Sequence, residues 1–286
     1  MVKFHMKKQT VAVIISVYKD LEALKLIINS LQSQTRVPNE IIIAEDAQHS
    51  EIKEYLDSLT YDNVIHLSHK DIGWRKEKIL NDAIRITHSE YLIFIDGDCI
   101  PYKNFVNAQL ELSEKNTALC GRRSEPGPLF SKKLRNGEMN VQEYQKKYLL
   151  NYTKLIQDDT RHIDEGMVFS PHSIIFKLIH KFGRKNSHIV GCNWSCYKED
   201  ILKINGFDED FILPTTGEDT DIERRMRHFG IKMKSCRNAA AVVHLYHKSI
   251  FDKSISSQTE ALMETKKDIF VCINGIKKLK ENGESI

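Results

Sequence analysis

The sequence predicts an α/β fold in which helices flank a mostly parallel sheet within a single domain. Between Thr10 and Asp96, four runs of branched and apolar residues alternate with segments of helical periodicity. This alternation, with short connections, is typical of parallel sheets with right-handed crossovers. The fourth run ends in an acidic turn, and open α/β sheets bind ligands beyond the carboxyl ends of their strands.

The individual elements of this half follow from their residue patterns. Strands are predicted where β-branched and aromatic residues dominate, at residues 10–17, 40–44, 63–67 and 91–95. Helices are predicted where apolar residues recur at helical spacing or where a polar segment links two strands, around residues 21–31, 50–59 and 79–86. Asp20 stands where the first of these helices needs an N-cap.

The second half opens with a helix at residues 104–112 and a strand at residues 117–120, followed by an insert at residues 122–188. An excursion of this length is usually a lid or a specificity element. One helical segment is predicted within it, with aromatic residues from Tyr144 to Tyr152 at helical spacing. These tyrosines either stack on sugar rings or, in the favoured interpretation, pack against the core.

Beyond the insert, residues 189–197 read IVGCNWSCY, and a helix is predicted to open at Glu218, after Gly217, and to run to about His228. Strands are predicted at residues 232–236 and 239–244. A helix at residues 254–280 is predicted to pack over the sheet, with six lysines beside its apolar stripe. Contact of this basic amphipathic element with anionic lipid is the minority interpretation.

Composition excludes several classes of protein. The net charge is only +3, from 42 Lys and Arg against 39 Asp and Glu, so no nucleic-acid partner is expected. No apolar run approaches the ~18 residues of a transmembrane helix, and the N-terminus lacks the apolar core of a secretory signal. The six scattered cysteines indicate buried free thiols and a reducing compartment. We therefore expect a cytoplasmic protein.

The acidic turn Asp96-Gly97-Asp98 is the first candidate site. Two carboxylates one residue apart at a strand end suit Mg²⁺ or Mn²⁺ and, through the metal, a phosphate. The alternative is an Asp-Gly turn with solvated carboxylates. Neither a G-x-G-x-x-G motif after the first strand nor a P-loop is present, which argues against a dinucleotide-binding fold and a P-loop enzyme.

Further polar residues stand at other predicted strand and helix ends. Glu218 and Asp219 open a helix, where the macrodipole stabilises acids; alternatively, Asp219 is a general base. His244 and His247 lie three residues apart beyond an apolar strand and are candidate metal ligands. At the ends of the first two strands, the nucleotide-binding candidates are Ser16, Tyr18, Glu45 and Asp46.

Four segments in this order resemble those of bacterial family 2 glycosyltransferases of GT-A fold. They are ISVYKD, DIGWRKEKILNDAI, IDGDC and GCNWSCYKEDILKINGFDEDF followed by GEDTDIERRM. The second is similar to the G-F-R-x-A-x-x-R-N-x-A-I helix of the branch that includes chondroitin-polymerase and β-1,4-galactosyltransferase-like domains. The resemblance covers residues 10–247 with the insert unmatched. It implies a nucleotide-binding half (1–121), the insert on the acceptor side (122–188), an acceptor and catalytic half (189–247) and a C-terminal helical extension (248–286).

The resemblance assigns roles on the donor side. Ser16, Tyr18 and Asp46 would hold the uridine. Arg75 would lie near the base or the diphosphate. Asp96 would contact the ribose and the metal side.

The resemblance also assigns the metal and the chemistry. Asp98 would bind Mn²⁺ or Mg²⁺ and His244 would complete the site, with Asp96 and His247 as further candidate ligands. Asp219 would be the catalytic base, and Glu218 would bind the acceptor hydroxyl or assist.

Gly191 and Asn193 would border the donor sugar.

Two segments depart from the family pattern. The D-G-S after the second strand is replaced by EDAQH at residues 45–49, and Trp-Gly-Gly before the acids is replaced by TTG at residues 215–217. The aromatic platform for the acceptor would then come from elsewhere, such as Trp194 or the insert.

The resemblance implies an inverting, metal-dependent hexosyl- or N-acetylhexosaminyl-transferase. It would use a nucleotide sugar, UDP-linked in preference, and a glycan or lipid-linked glycan acceptor. It would serve bacterial surface polysaccharide, lipooligosaccharide or glycoconjugate synthesis, in the cytoplasm or peripherally at the inner face of the membrane. A nucleotidyltransferase is the alternative enzyme, although it would usually carry a Gly-rich basic loop after the first strand, and a glycan-binding domain without turnover is the non-enzyme alternative.

Overall fold

The computed structural model describes residues 9–183, 187–214, 217–248 and 253–280. The strands, in chain order, are β1 (Val11–Val17), β2 (Glu40–Glu45), β3 (Val64–Ser68), β4 (Tyr91–Asp96), β5 (Cys99–Pro101), β6 (Thr117–Cys120), β7 (Arg122–Ser124), β8 (Asn193–Tyr197), β9 (Lys232–Ser235) and β10 (Ala241–His244). The helices are α1 (Leu21–Gln32), α2 (Ser50–Asp57), α3 (Lys76–Ile86), α4 (Phe105–Leu112), α5 (Pro128–Arg135), α6 (Val141–Lys146), α7 (Tyr152–Gln157), α8 (Ile174–Phe182), α9 (Lys198–Lys203), α10 (Gly217–His228) and α11 (Lys253–Thr265).

The predicted α/β fold with a mostly parallel sheet is confirmed. Within the described residues the main sheet has the order β3-β2-β1-β4-β8-β6-β9. The pairs β1–β2, β1–β4, β2–β3 and β6–β9 are parallel, and β8 runs antiparallel between β4 and β6. Strand β1 therefore lies inside the sheet, where a continuous β-branched run is buried on both faces.

Alternate residues of β1 enter two hydrophobic cores, one on each face of the sheet. Val13 and Ile15 pack on the side of α1, while Ala12 and Ile14 pack on the side of α3. Asp20 caps α1, as predicted, by accepting a hydrogen bond from the Ala23 amide at 3.0 Å. The apolar stripe of each helix thus covers one face of the sheet.

A second, three-stranded sheet in the order β5-β10-β7 was not foreseen from the sequence. Strand β5 follows the acidic turn directly, and β10 pairs antiparallel with it, so that His244 stands opposite Cys99. This small sheet joins the acidic turn to the predicted histidine segment.

The insert was predicted to carry one helical segment, and this prediction was wrong. The part of the insert that the structure describes contains four short helices, α5 to α8, and a 3₁₀ turn at Ile163–Gly166. Tyr144 and Tyr148 are buried, and their hydroxyls lie 3.2 and 3.0 Å from the Ser124 hydroxyl. The interpretation that these tyrosines pack on the core is confirmed, so they offer no platform for a sugar.

The predicted helix at residues 254–280 was also too long, because α11 ends at Thr265. Beyond it, the Asn205 side chain donates to the carbonyl oxygens of Cys272 (2.7 Å) and Lys277 (2.8 Å). The Ile276 amide donates to the Asn205 carbonyl at 2.9 Å. Hydrogen bonds to a distant loop replace the helical ones, and Cys272 is buried as a result.

All six cysteines are free and buried, as predicted. Among the residues that the structure describes, none of the helices has the length and apolar character needed to cross a bilayer.

Candidate active site

The carboxyl ends of three parallel strands meet at one edge of the main sheet. Ser16 of β1 stands opposite Asp96 of β4, and Val17 stands opposite Glu45 of β2. The Ser16 hydroxyl donates to Asp96 Oδ1 at 3.0 Å. A Cβ atom on Gly97 would lie 2.6 Å from the Ser16 carbonyl oxygen, so this close turn requires glycine.

A potential metal cluster includes Asp98, the last residue of this turn. One ligand atom each from Asp98, His244 and His247 lies within 4.8 Å of the others. The two histidine Nε2 atoms are 3.4 and 3.5 Å from Asp98 Oδ2. The pairing of β5 with β10 and a hydrogen bond from the Leu245 amide to the Asp98 carbonyl (3.0 Å) hold the cluster together.

The donor set fits a divalent transition metal. Two imidazoles and one carboxylate favour a first-row transition ion over Mg²⁺, which prefers oxygen ligands. Asp96 lies outside this cluster, because its Oδ1 accepts hydrogen bonds from Ser16 and from Lys76 (2.9 Å). The geometry thus brings Asp98, His244 and His247 together as candidate ligands, with Asp96 outside the group.

Lys76 connects the acidic turn to the acids of α10. This largely buried side chain extends from the first turn of α3, and its Nζ lies 2.9 Å from Asp96 Oδ1 and 3.8 Å from Glu218 Oε1. Asp219 Oδ2 accepts a hydrogen bond from the Gly191 amide at 2.7 Å. Together these groups border a narrow space of about 10 Å³, room for roughly one water molecule.

The charges in this cluster shift one another's ionisation. Burial raises the pKa of Asp219 and raises that of Glu218 well above its usual value, although Lys76 opposes both shifts. For Asp96, burial is outweighed by Lys76 and Ser16, and its pKa lies below the usual value. Burial also disfavours the Lys76 ammonium, but the surrounding carboxylates raise its pKa well above normal.

On the nucleotide side, Asp46 is buried and organises the segment before α3. One carboxylate oxygen lies 2.5 Å from His69 Nε2, and the other accepts a hydrogen bond from the Arg75 amide at 2.7 Å. The Arg75 guanidinium donates to the Lys70 carbonyl at 2.9 Å. Asp46 and Arg75 therefore lie together and shape the loop at residues 69–75.

Tyr18 stands apart from this cluster. Its ring is 55% exposed, and its hydroxyl lies 3.4 Å from Asp71. It borders an open groove of about 510 Å³ together with Lys19 and Glu51. An exposed ring at the edge of a groove is able to cover a nucleobase.

Two predicted donor or acceptor residues are placed differently by the structure. Asn193 is fully buried, and its amide donates to the carbonyls of Arg122 (2.8 Å) and Ala240 (2.9 Å), so its side chain holds two sheets together instead of facing a sugar. Trp194 is buried and stacks on Phe94 with 4.4 Å between ring centroids. It therefore cannot serve as an acceptor platform. Residues 215–216 of the altered family motif lie outside the described residues.

Sequence reasoning missed Lys76 and His69. Both lie within the segment HKDIGWRK, but a lysine or histidine in a polar loop has a solvated side chain as its ordinary interpretation. Only the packing of α3 against the strand ends brings Lys76 to the acids. The structure also separates Asp221 from Asp219, because Asp221 is buried and paired with Arg224 and Arg225.

Comparison with solved structures supports the fold. The mannosyltransferase PcManGT from Pyrobaculum calidifontis, in complex with GDP-Man and Mn²⁺, matches with a TM-score of 0.52 and 13% identity, over 88% of this chain and 60% of that one. GalNAc-T7 with UDP, GalNAc and Mn²⁺ matches with a TM-score of 0.60 and 13% identity, over 92% of this chain and 49% of that one. This chain thus spans about half to three fifths of each of these proteins.

Comparison with known sequences identifies the family. No curated protein shows a significant match. The profile described as "N-terminal domain of galactosyltransferase" matches residues 176–248, which include the acids of α10 and His244. The profile of "Glycosyl transferase family 2" matches residues 12–203, more than half of the 286 residues. Since that match runs from β1 to α9 and includes the acidic turn, this chain belongs to glycosyltransferase family 2.

Proposed function

We propose that this chain is an inverting, metal-dependent glycosyltransferase acting from a nucleotide sugar onto a glycan or lipid-linked glycan. The transferred group is a hexosyl or N-acetylhexosaminyl residue, and the preferred nucleotide is UDP. One observation carries the proposal. The half-buried Asp219, held by the Gly191 amide, borders the same narrow space as Asp96, while the metal cluster includes Asp98 of the same turn.

Asp219 is the catalytic base in this proposal. It takes the proton of the acceptor hydroxyl while the acceptor oxygen forms its bond to C1 of the sugar. The bond from C1 to the diphosphate oxygen breaks in the same displacement, and the configuration at C1 is inverted. A base of this kind contributes about 10²–10⁴-fold to the rate. Its carboxylate is oriented by the 2.7 Å hydrogen bond from Gly191.

The charge of Lys76 acts on the base Asp219 and on its neighbour Glu218. Lys76 lies 3.8 Å from Glu218, and its positive charge opposes the effect of burial on the pKa of both acids. Without this charge, the carboxylates of Asp96, Glu218 and Asp219 would repel one another with little solvent to screen them. Lys76 is thus a positioning residue whose charge favours the ionised form of Asp219.

The metal would be held by Asp98, His244 and His247, with Mn²⁺ favoured over Mg²⁺ because of the two imidazoles. When bound, such an ion offsets the negative charge that develops on the departing diphosphate. The Mn²⁺ named in the two similar structures is consistent with this choice. A role in bacterial surface glycan synthesis and a cytoplasmic site of action are further parts of the proposal, and they follow from the sequence resemblance alone.

The proposal is tested with Asp219→Asn, measured against a screen of nucleotide sugars for Mn²⁺-dependent transfer or hydrolysis. Nucleotide binding by calorimetry should be retained, while turnover should fall by at least about 10²-fold. Asp82→Asn, which removes a partly exposed carboxylate paired with Arg85 on α3, is the control and should keep full turnover. Near-normal turnover of Asp219→Asn would show that another group is the base, and retention of configuration in the product would exclude inversion.

A further inference from the structure

Helix α8 presents an apolar face to solvent. Ile174 and Phe182 are 75% and 76% exposed, and Ile175 and Leu178 are about half exposed. Residues at positions i, i+4 and i+8 share one helix face, so Ile174, Leu178 and Phe182 form a continuous stripe. A surface helix of a globular protein normally turns such a stripe toward its core.

The outward orientation of this stripe is fixed by the opposite face of α8. Phe176 is buried in the main core, and the His180 Nε2 lies 2.9 Å from the Arg237 carbonyl oxygen. The rings of Phe176 and His180 are 4.0 Å apart. The Ser173 hydroxyl caps the helix by accepting a hydrogen bond from the Phe176 amide at 3.1 Å. The helix is therefore anchored with its apolar stripe outward.

The segment of the chain that carries this stripe is basic. From Gly166 to Tyr197 the sequence contains no Asp or Glu, whereas its lysines and arginines are Lys177, Lys181, Arg184 and Lys185. Lys177 and Lys181 are exposed on α8 itself. Acids of neighbouring elements lie near its flanks: Glu111 approaches His172 at 3.5 Å, and Glu165 pairs with Arg237, whose carbonyl oxygen contacts His180. The surface of α8 thus combines exposed apolar side chains with positive charge.

We propose that α8 is the element by which this protein docks onto an anionic lipid surface. Aliphatic and aromatic side chains beside lysines are the signature of helices that lie in the plane of a membrane interface. The cores of protein–protein interfaces are instead depleted of lysine. The apolar stripe would enter the boundary between headgroups and acyl chains, while Lys177 and Lys181 contact the anionic headgroups.

The lysine-rich C-terminal segment, the sequence-based candidate for this role, is less suited to it. Lys266 Nζ lies 2.6 Å from both Asp208 and Asp210. Lys267 and Lys278 are paired with glutamates, Glu264 and Glu209 respectively. These lysines are therefore committed to ion pairs with the protein's own acids.

The test is cosedimentation of the full chain with vesicles of phosphatidylcholine, alone or mixed with phosphatidylglycerol. The wild-type protein should bind the mixed vesicles in preference. Raising the salt from about 0.1 to about 1 M, which shortens the screening length from ~10 to ~3 Å, should weaken that binding. Leu178→Ser should reduce the partition coefficient at least about fivefold, and Lys177→Gln roughly fivefold.

Matched controls are available elsewhere on the surface. Leu202 on α9 is 46% exposed, against 49% for Leu178, so Leu202→Ser removes the same side chain at equal exposure. Lys232→Gln on β9 removes an exposed lysine outside the acid-free segment. Both control variants should bind vesicles as the wild type does, and the melting temperature of each variant establishes that it is folded.

Each other result overturns the proposal. Equal binding by the wild type and Leu178→Ser, or loss of binding in the two controls as well, would exclude α8 as the docking element. A wild-type dimer that becomes monomeric in Leu178→Ser, without vesicle binding, would instead assign the stripe to a second copy of this chain. Because the assay needs neither donor nor turnover, its outcome is independent of the proposed transferase function.

Discussion

Replacing Lys76 by Met tests whether this lysine sustains the acidic cluster. Methionine keeps much of the length of the side chain and removes its charge. The Lys76 ammonium lies 3.8 Å from Glu218, which corresponds to about 4 kcal/mol of attraction at an effective dielectric constant of ~20. Removing one partner from a buried charge cluster typically costs ~3–5 kcal/mol of stability. We therefore expect a marked fall in the free energy of unfolding.

The same variant should alter the pH dependence of turnover. Burial already raises the pKa of Asp219, and Lys76 is the main charge that opposes this rise. Without the lysine, Asp219 would remain protonated to higher pH. The acid limb of the kcat/KM profile should then move to higher pH, and activity near pH 7 should fall by up to the ~10²–10⁴-fold that a general base contributes.

The assay is Mn²⁺-dependent turnover of the nucleotide sugar across the pH range in which the variant is folded. Lys78→Met is the matched control, because Lys78 lies on the same helix with a more exposed side chain paired to Asp82. Lys76→Arg should restore much of the profile, since it restores the charge. An unchanged acid limb in folded Lys76→Met would refute the argument that Lys76 keeps the base ionised.

Three further predictions follow from the same geometry. Burial raises the pKa of Glu77 to about 8, so the folded protein binds this proton more tightly than the unfolded chain, and stability is lost as the pH rises from about 4.5 to about 8. Glu77→Gln should therefore remove at most ~5 kcal/mol of that loss in the free energy of unfolding. Melting temperatures of this variant and of the exposed control Glu90→Gln, measured across this pH range, provide the test. An unchanged pH dependence in Glu77→Gln would contradict the raised pKa of Glu77. A Cβ atom at Gly191 would lie 2.7 Å from the carboxylate of the candidate base, so Gly191→Ala should lower kcat with little change in nucleotide affinity, and unaltered kcat would show that the base tolerates displacement. His247→Ala should weaken Mn²⁺ binding in calorimetry by more than the ~10–100-fold typical of losing an outer-shell partner, and unchanged affinity would remove His247 from the ligand set.

Much of the fold was predictable because its signals are local. The strands β1, β2, β3 and β4 coincide with the predicted ones to within one residue at each end. A buried parallel strand reads as a continuous branched run, and the amphipathic stripes of α1 and α3 mark their buried faces. The failures were the insert and the C-terminal segment. In the C-terminal segment, hydrogen bonds from the distant Asn205 replaced the helical pattern that the apolar spacing favoured.

The candidate site was predictable only in part. Asp98, His244 and His247 form one cluster, and Asp219 borders the same space as Asp96. No sequence pattern pointed to Lys76. Asn193 was predicted to border the donor sugar, but its side-chain amide bonds to backbone carbonyls and joins two sheets. In the sequence, a polar residue near a glycine looks the same whether its side chain faces a ligand or donates hydrogen bonds to buried backbone carbonyls.

The sequence by itself determined the order of strands and helices, the acidic turn after β4 and the acids at the start of α10. Each of these features depends on residues only a few positions away in the chain, through their intrinsic conformational propensities and the spacing of apolar residues. The tertiary structure alone decided that β5 pairs with β10 to bring two histidines to Asp98. It alone placed Lys76 among the carboxylates and turned the apolar stripe of α8 outward. These arrangements depend on the packing of elements that are far apart in the sequence. Only that packing decides which side chains are buried.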